Sequence, residues 1–61
     1  MKLWYYVTFQ YSENIFCVNF AYGEYEDVSK KYSSYKWFNL QECDISMVAE
    51  GREKGIPVIR L

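Results

Sequence analysis

The strongest constraint in this chain is an alternation of side chains through residues 2–11 and again through 15–22. In the first run Leu3, Tyr5, Val7, Phe9 and Tyr11 point one way, and Lys2, Trp4, Tyr6, Thr8 and Gln10 the other. In the second, Phe16, Val18, Phe20 and Tyr22 share one side, and Ile15, Cys17, Asn19 and Ala21 the other. A period of two in aromatic and β-branched residues marks strands. Ser12-Glu13-Asn14 lies between the runs and supplies turn chemistry. Together they predict an antiparallel β-hairpin.

Residues 24–34 admit two readings. Tyr25, Val28 and Tyr32 recur at i, i+3 and i+7, one face of a helix. Glu24, Glu26 and Asp27 precede Lys30 and Lys31, the order a helix dipole favours. Tyr and Ser are only middling helix formers, however, so a loop competes. Residues 35–43 predict a third strand, with Tyr35, Trp37, Asn39, Gln41 and Cys43 on one face and Phe38 and Leu40 on the other. Asp44 is a candidate N-cap for a helix over about 45–54, with Ile45, Val48 and Ala49 as its apolar stripe. Gly51 weakens that helix by about 1 kcal/mol relative to Ala. Gly55, Ile56 and Pro57 suit its C-terminus, and Val58–Leu61 reads as a short last strand.

The expected class is α+β, with a small mixed sheet, an N-terminal hairpin and the order β-β-(α or loop)-β-α-β. One domain spans residues 1–61. The last strand–helix–strand unit implies a crossover between parallel strands. A domain of this size buries only about 60% of its unfolded surface, so support from a partner is expected.

Aromatics make up 21% of the chain, with seven Tyr, four Phe and two Trp. Each large ring can bury roughly 150–250 Å². Alternation assigns Leu3, Tyr5, Val7, Phe9, Phe16, Val18, Phe20, Phe38 and Leu40 to a face covered by the 45–54 helix. Trp4, Tyr6, Tyr35 and Trp37 then fall on the opposite face, with Cys17 and Asn19. Three readings compete for that second face. It is a second small core under residues 24–34, a protein interface anchored by Trp and Tyr, or a platform on which bases or sugars stack. In the last case Lys30, Lys31 and Lys36 would contact phosphates.

The net charge of −1 does not resemble the basic footprint of nucleic-acid binders or of proteins held on anionic membranes. No stretch approaches the ~20 apolar residues of a membrane span. The chain has no histidine, so the usual base of a nucleophilic dyad or triad is missing. Gly51 and Gly55 match neither a phosphate loop nor a dinucleotide fingerprint. Cys17 and Cys43 do not suffice for a structural zinc site. If the second and third strands pair antiparallel, these two thiols lie close together on one face.

These observations predict a non-enzyme without metal or cofactor, cytoplasmic, with reduced thiols. The expected function is a protein–protein interaction module: an adaptor, a stoichiometric inhibitor or a homo-oligomer. Its partner is another protein or a second copy, its site Trp4, Tyr6, Tyr35 and Trp37. The alternative is single-stranded nucleic-acid binding by those rings with the three lysines. An exposed last strand would offer a further edge for pairing.

Overall fold

The computed structural model describes residues 1–61. Strands β1 (Leu3–Ser12) and β2 (Ile15–Gly23) form the hairpin, followed by helix α1 (Tyr25–Tyr32), strand β3 (Phe38–Cys43), helix α2 (Ile45–Glu53) and strand β4 (Val58–Arg60). The sheet is mixed, in the order β3-β1-β2-β4. β1 pairs antiparallel with both β2 and β3, whereas β2 and β4 are parallel. The α+β class and element order agree with the sequence, and helix wins over loop at Tyr25–Tyr32. β3 and β4 are parallel as expected, but they lie at opposite edges with β1 and β2 between them.

The hairpin itself corrects the predicted faces. Ser12 pairs with Ile15, so the turn is the two residues Glu13 and Asn14. The register then shifts between Gln10 and Ser12, leaving Tyr11 as the extra residue of a bulge. From Gln10 onward the pairs are Gln10 with Phe16, Thr8 with Val18, Tyr6 with Phe20 and Trp4 with Tyr22. A one-residue slip exchanges faces because the side-chain period is two. Phe16, Val18 and Phe20 therefore share a face with Trp4 and Tyr6. Cys17, Asn19 and Ala21 share the other with Leu3, Tyr5, Val7 and Phe9.

Each face has its own helix. α1 packs on the Tyr5–Val7–Phe9 face, forming a core with Ala21, Val28 and Tyr32. There the Asn19 amide Nδ2 donates to the Tyr32 hydroxyl at 2.7 Å. α2 packs on the opposite face through Val48 and Gly51. The expected roles of the two segments are thus exchanged: 24–34 covers the Leu3–Phe9 face, and 45–53 covers the Trp4–Tyr6 face.

The α2 boundaries follow local chemistry. Asp44 Oδ1 accepts hydrogen bonds from Ser46 Oγ at 2.6 Å and Met47 N at 3.3 Å. These bonds hold its carboxyl below the usual carboxylate range. At the other end Gly55 N donates to Arg52 O and Ile56 N to Gly51 O, with Gly55 at φ +89°. That is the Schellman pattern, which favours a residue without Cβ. Of the expected stripe only Val48 is buried; Ile45 and Ala49 are exposed.

Candidate interaction surface

The register fixes the side chains of the α2 face rung by rung, reading across β3, β1 and β2. Cys43, Trp4 and Tyr22 form the first rung; Gln41, Tyr6 and Phe20 the second; Asn39, Thr8 and Val18 the third. Trp37, Gln10 and Phe16 close the series beside the hairpin turn, where Gln10 N donates to Trp37 O at 2.9 Å. The first two rungs hold a packed set of rings. Trp4 lies 4.9 Å from Tyr22 between centroids, with the Arg60 guanidinium 5.5 Å from its ring. Tyr6 lies 5.4 Å from Phe20, which is buried under Gly51.

Beyond that point the cover thins. Phe16 and Trp37 meet edge to face at 5.8 Å, yet remain 58% and 45% exposed. Tyr11 and Ile15, flanking the turn, are exposed as well. No charged side chain occupies the rungs from Gln41–Tyr6–Phe20 to Trp37–Gln10–Phe16. Neutral amides and a hydroxyl surround the two open rings.

Three of the four residues singled out from the sequence share this face: Trp4, Tyr6 and Trp37. Tyr35 does not. Its ring lies 4.6 Å from Phe9 and 6.1 Å from Tyr32, on the α1 side. The residue between Ser34 and Lys36 belongs to the turn that follows α1, where Tyr35 N donates to Tyr32 O. The strand begins only at Phe38. Phe16, assigned to the core by alternation, is instead an exposed partner of Trp37. The signal that would have found it is the bulge at Tyr11.

The three lysines are not gathered around the rings. Lys30 and Lys31 occupy the last turn of α1, across the sheet from Trp4, Tyr6 and Trp37, and only Lys36 adjoins Trp37 in the chain. The cysteines are also apart. Cys17 pairs with Phe9 on the α1 face near the hairpin turn, and Cys43 pairs with Trp4 on the α2 face at the far end. The expected closeness fails because β3 pairs with β1 rather than with β2. Both thiols are free. Burial, aided by Asp44 and Glu42, pushes the Cys43 thiol up, which disfavours the reactive thiolate.

Comparison with protein-family models, curated proteins and solved structures returns no match. No helix is long and apolar enough to cross a membrane.

Proposed function

We propose that this chain is a small, non-catalytic protein–protein interaction module, acting as an adaptor or a stoichiometric inhibitor. Phe16 and Trp37 are its anchors, with Trp4 and Tyr6 further along the same face. The observation that carries this reading is the open Phe16–Trp37 pair, set among Thr8, Gln10, Val18 and Asn39 without a charge. Interface centres are enriched in aromatic residues and depleted in charge, because burying an unpaired charge is costly. A cytoplasmic, reducing setting suits the free thiols of Cys17 and Cys43.

Stacking of single-stranded nucleic acid is the weaker alternative. Lys36 beside Trp37 favours it, but phosphate binding needs several cations near the rings, and Lys30 and Lys31 are across the sheet. Affinity capture from the native cell, with the wild type and with a Phe16→Ser/Trp37→Ser variant, tests the proposal. A partner retained by the wild type and lost by the variant, with circular dichroism unchanged, is expected. Identical capture by both refutes it. Tryptophan quenching by an oligonucleotide at low salt would favour the alternative.

A further inference from the structure

We infer that β3 is a self-pairing edge and that two copies of the chain join antiparallel, β3 to β3, about a two-fold axis at Leu40. The inference rests on the backbone of β3; it shares Trp37 with the surface proposed above but does not use Phe16, which lies on β2.

The argument starts from hydrogen-bond alternation. In an antiparallel ladder directly opposed residues alternate between hydrogen-bonded and non-hydrogen-bonded pairs. Gln10 N donates to Trp37 O, so Gln10 and Trp37 are of the first kind. Two-residue steps along the register place Thr8–Asn39, Tyr6–Gln41 and Trp4–Cys43 in the same class. The C=O of Trp37 and the N–H and C=O groups of Asn39, Gln41 and Cys43 therefore turn inward, toward β1. Those of Phe38, Leu40 and Glu42 turn outward, and β3 is an edge of the sheet.

The two edges are unequally protected. β4 is three residues long and follows Pro57, a common way of blunting an edge. β3 is six residues long, pairs with β1 without a register shift, and contains neither proline nor lysine. An edge of this kind is a template for another strand.

The sequence is self-complementary in one register. Centring the axis on Leu40 opposes Leu40 with its own copy and Phe38 with Glu42 of the second copy, so that all three outward residues bond at once. Outside the strand, Lys36, two residues before Phe38, falls opposite Asp44 of the second copy, one residue after Cys43, bringing opposite charges together at both ends. On the α2 face Asn39 opposes Gln41, whose amides can bond to each other, and the open Trp37 ring opposes Cys43. The pairing is isologous and closes, because each chain's β3 edge is used once. It would form an eight-stranded sheet bounded by the two short β4 strands.

The test combines light scattering with cross-linking. The wild type is expected at twice the chain mass. Glu42→Pro removes an outward N–H and no internal ladder bond, so it is expected at one chain mass with unchanged circular dichroism. In a Cys17→Ser/Cys43→Ser background, Asn39→Cys chains mixed with Gln41→Cys chains are expected to form a disulfide on oxidation. Their α-carbons would lie about 4.5 Å apart as a non-hydrogen-bonded pair, within the ~4.4–6.8 Å that a disulfide spans. Neither variant alone should cross-link. A monomeric wild type, a folded Glu42→Pro variant that still dimerises, or Asn39→Cys cross-linking to itself as well as to the mixture would each overturn the inference. If Glu42→Pro fails to fold, the cysteine mixture decides. Phe16→Ser separates the two proposals: it should leave the dimer intact whatever it does to partner capture.

Discussion

Replacing Gly51 with alanine should destabilise the protein, the opposite of what helix propensity alone implies. Alanine in place of a mid-helix glycine is worth about 1 kcal/mol. Here, however, a Cβ on Gly51 would overlap Phe20 Cε2 and lie 2.9 Å from Cζ and 3.2 Å from Cδ2. Phe20 cannot yield easily: it is 2% exposed and held by Tyr6 on its own face. Forcing a methyl group into a packed site costs about 1–3 kcal/mol. The net expectation for Gly51→Ala is a loss of about 0–2 kcal/mol, the difference between those two quantities. In a domain this small each kcal/mol lowers Tm by about 4–8 °C. In a Phe20→Leu background the ring edge is gone, so the same Gly51→Ala change should stabilise, by up to about 1 kcal/mol. Urea unfolding of the four proteins, followed by circular dichroism, gives the coupling between the two sites. A Gly51→Ala variant about 1 kcal/mol more stable than the wild type in both backgrounds would show that α2 does not press on Phe20. The packing of the α2 face would then have to be abandoned.

Tyr32→Phe should cost about 1 kcal/mol in urea unfolding, because it removes the bond from Asn19 and leaves that half-buried amide without its partner; an unchanged midpoint would contradict the contact. Alkaline stability should fall through Tyr5, whose hydroxyl burial, with Glu42 beside it, raises above its ordinary value of about 10. A raised folded value makes its contribution complete below the unfolded value and lost as pH rises through the folded one, so Tyr5→Phe should flatten the decline in urea midpoint above pH ~10. Deleting Tyr11 together with Glu13→Asn and Asn14→Gly should preserve every pair from Gln10–Phe16 inward, because an Asn-Gly turn matches strand twist without a bulge. Retained amide protection across β1 and β2 is the expected readout, and its loss would mean that the bulge does not set the register.

That bulge explains where the sequence was legible and where it was not. The alternation in residues 2–11 and 15–22 located both strands, since each run is a local property of its own side chains. Joining the runs is not local. With Ser12 opposite Ile15 and no bulge, Phe9 would face Val18 and Val7 would face Phe20, and the predicted common face would be right. The single residue Tyr11 changes the sum of paired positions by one and reverses β2 as a block. Glu13 and Asn14 have no positive φ, so they do not form the turn type whose twist matches a two-residue hairpin. A bulge adds twist beside such a turn. The helix at Ile45–Glu53 was legible for the opposite reason: Asp44, Gly55 and Pro57 mark its ends through bonds made within a few residues. The role of Gly51 was not, because it depends on Phe20, 31 positions away (51 − 20) in the chain.

The open rings follow from element lengths. Ten strand residues at about 3.3 Å each span about 33 Å, whereas nine helical residues at about 1.5 Å each span about 13 Å. Neither helix can cover a whole face of β1. On the α1 face the remaining length is filled, because the chain leaving Tyr32 folds Tyr35 back onto Phe9 and brings Phe38 beside it. On the α2 face the chain leaves the helix at Gly55 and enters β4 opposite Phe20, short of the hairpin turn. Val18 is half-covered, and Phe16 and Trp37 are left open. On the α2 face the open rings therefore lie at the end that a nine-residue helix cannot reach, while on the other side of the sheet Tyr25 of α1 is also exposed.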